Sequence, residues 1–376
     1  MEKQLPQAKK VRNTSIELLR IIAMVMIIFH HFAVHGGFTF EEADVSISHF
    51  WYYFIQMGGK IGVNIFVMIS GFFLVESKDK QVFNFKRILK FWGQVFFYSV
   101  LLTIIAWITS IGEVGIKELI KMMFPLTFGT WWFASTYFVL YLIHPFLNRF
   151  LHSINKQTYQ KLLVLLVIIW CIIPTFTTFN YQGNDLLWFI TLYCITGYIK
   201  LFGLNPKFHT KHYFFLWLVC SLLTYLTAVI FALLGTKLPI VASHATYFFG
   251  QEKITILLVS LSLFMIFASL EIKHSNVINT IASTTFGIYL IHDNEYIRMF
   301  LWRTIFNNAA YADTLFLIPY SILSVGIVFA VCSAVELLRI KVIEKPCIML
   351  INKYADSVLK PFNVICEKTK RVIFGE

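Results

Sequence analysis

Charged residues are scarce in this chain of 376 amino acids: 14% of its residues are charged and 58% are hydrophobic. A water-soluble domain carries about 25% charged residues on average. The deficit excludes a conventional soluble fold, because too little polar surface would remain to cover the apolar side chains. The 39 Phe, 17 Tyr and 9 Trp residues fit a lipid environment instead, since aromatic rings suit both the bilayer interior and its interfaces.

Cysteine is also rare, and its spacing excludes two kinds of site. None of the six cysteines forms a Cys-x-x-Cys pair, so neither a disulfide framework nor a structural zinc site is predicted. The sequence lacks a His-Glu-x-x-His motif and clustered carboxylates, so we expect no metal. The net charge of +12 could suit nucleic acid. We expect no nucleic-acid partner, however, because the basic residues lie in short loops that they hold in the cytoplasm.

Ten apolar runs approach the length of about 20 residues that a membrane helix needs. Basic residues concentrate in alternate connecting segments, which predicts an even number of spans with both termini cytoplasmic. We therefore predict an all-α, polytopic transmembrane helix bundle over 1–345 and a cytoplasmic tail over 346–376 that could lie on the membrane surface. The ten runs are roughly 16–36, 58–75, 88–111, 131–150, 162–180, 185–201, 213–233, 254–270, 280–300 and 314–339.

The first run contains polar residues, which are unfavourable inside a membrane and so need a reason. Arg20 and His31 are separated by eleven positions, about 20° more than three helical turns and about 16 Å along the axis. They therefore share one helix face, and Glu17 can pair with Arg20 one turn away. The arrangement suits acyl transfer from a cytoplasmic thioester, because arginine binds phosphate and histidine can deprotonate a hydroxyl near neutral pH.

These residues also have a structural interpretation. Arg20 could extend its charge to the interface, and His31 could simply pack against its neighbours. We favour the functional interpretation because a carboxylate, a guanidinium and an imidazole all lie on one face. His30 and His35 are rotated from that face by about 80° and 60°, which makes them weaker candidates.

The set of Glu17, Arg20 and His31 resembles the opening signature of acyltransferase family 3. Further matches follow in the family's order, from residue 13 to residue 346. One departure lies in the basic run, where the family usually has a second arginine and then a proline, and this chain has Lys90 and Gly93. The further matches are 62–74 with its Ser-Gly-Phe, the basic run 86–90, the Trp-Trp-Phe at 131–133, 283–292 with its Tyr-Leu-Ile-His, and the Glu-Lys-Pro at 344–346.

The resemblance implies a multi-pass enzyme of the bacterial cell membrane that acylates, often O-acetylates, a surface glycan. Its donor would be acetyl-coenzyme A, its acceptor a glycan or lipid-linked glycan, and its surroundings membrane lipids. No oligomeric state is predicted. The candidate residues are His31, Arg20 and Glu17 for catalysis, Arg20, Ser70, Lys86, Arg87 and Lys90 for the donor, and His292, Asp293, Trp132 and Arg298 for the acceptor.

Several alternatives stay open at this point. His31 could act as a general base or could carry the acyl group transiently. Ser70 could serve close helix packing or line a channel; a nucleophilic role is less favoured because no base lies nearby in the sequence. The basic run could anchor a loop rather than bind phosphates. Arg298 could be an interface anchor. A transporter or flippase of lipid-linked sugars is the main alternative class, although the paired helix breaks typical of transporters are not seen; a non-enzymatic membrane partner is the third.

Overall fold

The computed structural model of the protein describes residues 12–40, 44–77, 84–177, 179 and 184–349, which contain helices and no β-strand. Its α-helices are α1 (Thr14–His35), α2 (Ile47–Leu74), α3 (Phe85–Thr109), α4 (Ile116–Met123), α5 (Trp132–Ser153), α6 (Lys156–Val167), α7 (Ile173–Phe176), α8 (Asp185–Phe202), α9 (Thr210–Gly235), α10 (Pro239–Ala242), α11 (Ile254–Ala268), α12 (Asn276–Ala282), α13 (Thr285–His292), α14 (Glu295–Met299) and α15 (Leu317–Arg339). Shorter π-helical turns follow α6, α14 and α15, at Ile168–Ile172, Phe300–Ile305 and Ile340–Glu344, and 3₁₀ turns lie at Tyr247–Phe249 and Asn308–Tyr311.

Eight helical segments of the described residues are long and apolar enough to cross a membrane. The prediction of an all-α, multi-pass membrane protein is thereby confirmed. Each of the ten predicted runs has a helical counterpart, but α5 and the stretch from α12 to α14 are not among the eight. The number of spans and the side of the termini stay predictions. The eight segments are Thr14–His35, Ile47–Leu74, Phe85–Thr109, Lys156–Phe176, Asp185–Phe202, Thr210–Gly235, Pro239–Ala268 and Leu317–Met349.

The predicted span over 280–300 is not one continuous helix, and this expectation is corrected. Helix α13 ends at His292, and the chain turns before α14 begins. The side chain of Asn294 accepts hydrogen bonds from the backbone N–H groups of Tyr296 and Ile297 and so caps α14. Asparagine offers the backbone this alternative to helical bonding, which explains the interruption. The break leaves His292 and Asp293 at a helix end inside the bundle.

Glycines allow α1 and α2 to pack closely and antiparallel. A Cβ atom at Gly59 would lie 2.2 Å from the ring of His30, and one at Gly62 would lie 2.6 Å from the backbone oxygen of Ala23. Any larger residue at these positions would push the helices apart.

We name the two ends of the bundle the Arg20 end and the His35 end, after the residues of α1 nearest to each.

The C-terminal part of the described chain passes through the predicted domain boundary. The helical segment that starts at Leu317 continues to Met349, beyond residue 345. Residues 350–376 lie outside the described residues, so the surface-lying tail stays a prediction.

Candidate active site

A cavity of about 260 Å³ lies along one face of α1. We call it the main cavity. It contains Arg20, Ser70, His31 and Trp132, which the sequence placed in three separate motifs. The face shared by Arg20 and His31 is therefore the face that borders the cavity. Its lining comprises Arg20, Met24, Ile27 and His31 of α1, Val63, Phe66 and Ser70 of α2, Phe91 of α3, Trp132, Phe133 and Tyr137 of α5, and Thr285, Phe286 and Tyr289 of α13.

The imidazole of His31 is held by a second histidine. Its Nδ1 lies 2.9 Å from Nε2 of His292, whose Nδ1 lies 2.6 Å from the backbone oxygen of Ile288. A carbonyl oxygen only accepts, so Nδ1 of His292 carries the hydrogen and Nε2 of the uncharged ring is an acceptor. His31 then donates from Nδ1, which leaves its Nε2 with a free lone pair. A ring in this tautomer is prepared to act as a base.

The carboxylate of Asp293 lies close to this histidine pair. Its Oδ1 is 3.8 Å from Nδ1 of His31, 3.7 Å from Nε2 of His35 and 3.6 Å from a guanidinium nitrogen of Arg298. These distances exceed those of ordinary hydrogen bonds, so the carboxylate acts on His31 mainly through its charge. Because only 5% of its side chain is exposed, that charge is little screened. It would favour the imidazolium that His31 becomes when it takes a proton, and the guanidinium of Arg298 beside the same oxygen offsets part of that effect.

Three of the predicted acceptor-binding residues lie behind His31 instead of in the wall of the main cavity. His292 and Asp293 approach His31 directly, and Arg298 approaches Asp293. Trp132, the fourth, does line the cavity. The structure thus brings all four to one region, and their part in binding an acceptor stays a prediction.

At the Arg20 end of the main cavity, the side chain of Arg20 has weaker contacts than His31 has. A guanidinium nitrogen of Arg20 lies 3.7 Å from Oε2 of Glu17, so the predicted pair is adjacent without a close hydrogen bond. Oε2 of Glu17 and Nε of Arg20 are both buried and have no hydrogen-bond partner within the described part of the chain. The arginine thus keeps unused donors beside the cavity, and a planar guanidinium can present them in pairs to a carboxylate or phosphate.

Part of the predicted basic run borders a neighbouring cavity of about 200 Å³. All three basic residues of the run are exposed; Arg87 and Lys90 line this cavity, and Lys86 does not. Phe91 and Tyr137 line both this cavity and the main one. The basic cavity and the main cavity therefore share part of their walls.

Lys90 is also part of an ionic network. Its ammonium group lies 2.7 Å from Oε1 of Glu344, and a guanidinium nitrogen of Arg339 lies 2.5 Å from Oε2 of the same residue. Glu344 therefore contacts two basic side chains. Arg339 in turn bonds Glu336, which accepts from Gln94. The network joins the start of α3 to the end of α15.

Two tyrosines were not predicted as site residues. Tyr137 and Tyr289 line the main cavity, and the hydroxyl of Tyr289 is buried without a hydrogen-bond partner in the described residues. Such a hydroxyl can donate to an oxygen that gains negative charge during a reaction. Tyr289 precedes His292 by three positions, so helical spacing within the Tyr-Leu-Ile-His motif could have indicated it.

The cluster of His31, His35 and Asp293 has atoms close enough to hold a metal ion, all within 4.8 Å of one another. Two contacts of these residues are unfavourable for metal binding. Nδ1 of His31 is already engaged by His292, and the guanidinium of Arg298 lies beside the same carboxylate. A fixed cation next to Asp293 opposes the binding of a second one.

The multi-pass helix bundle thus places a histidine and an arginine in one cavity, as a membrane transferase would require. The acyltransferase-domain model of acyltransferase family 3 matches residues 13–335, most of the chain. The chain therefore belongs to acyltransferase family 3, and the resemblance seen in its motifs is confirmed. Neither the curated proteins nor the solved structures gave a match.

Proposed function

We propose that this membrane acyltransferase moves an acetyl group from acetyl-coenzyme A to a hydroxyl of a cell-surface or lipid-linked glycan. Family membership supports acyl transfer. The finer proposal rests on one observation: Arg20 and His31 line the same cavity, with an anion-binding group and a base about 16 Å apart. The proposal includes a bacterial cell membrane and cytoplasmic termini, which would give the Arg20 end access to cytoplasmic coenzyme A.

The donor would occupy both neighbouring cavities. Its phosphates would lie near Arg87 and Lys90, since basic side chains at the start of a helix favour anions. Arg20 would hold a further anionic group with its unused donors. The pantetheine arm would then extend along the largely apolar wall past Ser70, where the small side chain leaves room. This would bring the thioester to His31.

The chemistry would use two side chains of the main cavity's wall, those of His31 and Tyr289. Nε2 of His31 would remove the proton of the acceptor hydroxyl, whose oxygen would attack the thioester carbonyl carbon. The hydroxyl of Tyr289 would donate to the oxyanion that forms. As the carbon–sulfur bond breaks, His31 would return the proton to the coenzyme A thiolate. A route through acyl-His31 would use the same nitrogen as a nucleophile, and it would appear as label on the protein when acceptor is omitted.

The test is transfer of carbon-14 from labelled acetyl-coenzyme A to crude surface glycan by the purified protein in lipid vesicles. We expect wild type to label the glycan and His31→Ala to lose about 1,000-fold, within the range that general base catalysis contributes. His244→Ala is the matched control, because His244 is an exposed histidine outside the main cavity. Thermal unfolding would verify that each variant is folded.

Two results would contradict the proposal. Near-normal transfer by His31→Ala would remove the base from the mechanism. Absence of label with folded wild type, together with no shift of its unfolding temperature by coenzyme A, would exclude this donor and favour the transporter alternative.

A further inference from the structure

A third cavity, of about 280 Å³, lies at the His35 end where α8 begins and just before α11. We call it the α8–α11 cavity. It shares no lining residue with the main cavity, and neither the motifs nor the proposed mechanism uses it. Its lining includes Lys60 of α2, Trp170, the α8 residues Asp185 and Trp188, and the two residues Gln251 and Glu252.

The lining combines flat apolar rings with hydrogen-bonding groups. Trp170 and Trp188 supply indole rings, which offer apolar faces, while Asp185 and Glu252 supply carboxylates. Ligand sites typically pair such apolar surface with a few placed polar groups. A sugar ring has this same division, with C–H groups on its faces and hydroxyls around its edge.

Gln251 gives an independent indication of a ligand. Gln251 is only 7% exposed, and its Nε2 donates to Oδ1 of Asp185 at 2.6 Å. Its Oε1 is nevertheless buried without a hydrogen-bond partner among the described residues. An unsatisfied buried acceptor is unfavourable, so a ligand that donates a hydrogen bond there would be bound more tightly. A hydroxyl is the simplest such donor.

The α8–α11 cavity is adjacent to the main cavity through one pair of side chains. The ammonium nitrogen of Lys60, which lines the α8–α11 cavity, lies 5.0 Å from the ring centroid of Trp132, which lines the main cavity. A cation over an indole ring at this distance is attracted to it. A ligand in the α8–α11 cavity would therefore be one side-chain pair away from the cavity that contains His31.

We infer that the α8–α11 cavity binds a neutral, hydroxyl-rich sugar unit of the acceptor. The carboxylates of Asp185 and Glu252 are balanced by the ammonium groups of Lys60 and Lys253, the latter 3.7 Å from Glu252. Among the described lining residues no cation is left over to pair with an anionic sugar, which makes a neutral sugar the better ligand. The inference identifies an acceptor subsite and so rests on the proposed acyl transfer to a glycan. Binding of sugar to this cavity can nonetheless be measured without any acyl donor.

The experiment is calorimetric titration of the full-length protein in lipid nanodiscs with maltotriose, cellotriose and chitotriose, and with trigalacturonate as the anionic comparison. We expect at least one neutral trisaccharide to bind saturably and more tightly than trigalacturonate. Gln251→Ala should weaken that binding about tenfold, equivalent to about 1.4 kcal/mol, as for loss of a hydrogen bond to a buried group. Glu252→Gln is the second variant, because glutamine has nearly the same shape as glutamate and the change is less disruptive to folding.

Glu113→Gln is the matched control, since Glu113 is an exposed carboxylate that does not line the α8–α11 cavity. Binding that is equal in wild type and both cavity variants would overturn the inference. So would tighter binding of trigalacturonate, or binding of none of the four probes.

The same proteins separate this inference from the proposed function. Sugar binding that depends on Gln251, with no label transferred by wild type, would retain the subsite and reject acyl transfer to a glycan. Transfer with an unchanged acceptor KM in both cavity variants would retain the proposed function and reject the subsite.

Discussion

The two ends of the main cavity hold their key residues in different ways. At one end, Arg20 lies 3.7 Å from Glu17 and keeps an unpaired buried donor. At the other, His31 is hydrogen-bonded to His292 at 2.9 Å, and His292 is fixed in turn by a backbone carbonyl. The difference indicates different tasks. A group that must bind a ligand needs free donors, whereas a base needs one defined tautomer before substrate arrives.

Among variants that keep His31 itself, the largest effect should follow from removing its partner. His292→Phe keeps an aromatic ring but removes the nitrogen that accepts from Nδ1 of His31. We expect kcat to fall about 100-fold, since the base would lose its fixed tautomer, while the donor KM stays within about twofold. His292→Gln should recover much of the loss, because its side-chain oxygen can still accept. Equal loss in both variants would show a packing role instead.

A smaller effect should follow at the other end. Arg20→Lys keeps the positive charge but removes the planar fork of donors. We expect the donor KM to rise about tenfold, the effect of losing about 1.4 kcal/mol of binding, with little change in kcat at saturating donor. Steady-state kinetics with acetyl-coenzyme A as the varied substrate would measure this. A fall in kcat at unchanged KM would instead place Arg20 in the chemical step.

The smallest effect should come from the neighbour of Arg20. Glu17→Gln removes a charge that lies 3.7 Å from the guanidinium. A loosely paired, partly exposed ion pair contributes about 0–1 kcal/mol, so the donor KM should change by no more than about threefold. A change of tenfold or more would show that Glu17 holds Arg20 in its binding position. The contrast between the two ends would then disappear.

The sequence was most informative where the structure is a regular helix. Arg20 and His31 could be assigned to one face because α1 is unbroken from Thr14 to His35, so helical geometry applies across all eleven positions. The composition likewise predicted the all-helical membrane fold. These properties depend on local periodicity and average polarity, which a single sequence contains.

The features that the sequence did not predict depend on contacts between parts of the chain that are far apart in sequence. His31 meets His292 across 261 positions, and no local pattern specifies which two helices will be neighbours. The break after His292 was missed because hydropathy averages over the capping asparagine. The roles proposed for Tyr289 and Gln251 rest on side-chain oxygens that have no hydrogen-bond partner among the described residues, and only the folded structure shows which groups these are.

The close packing of α1 against α2 has a consequence for chain length. With Gly59 against His30 and Gly62 against the backbone at Ala23, α1 has little freedom to rotate or slide. The separation of eleven positions between Arg20 and His31 therefore sets a fixed distance between the proposed donor-binding residue and the proposed base. Inserting one residue between them would turn one about 100° from the other and add about 1.5 Å. Between Arg20 and His31 this helix should therefore tolerate almost no change of length.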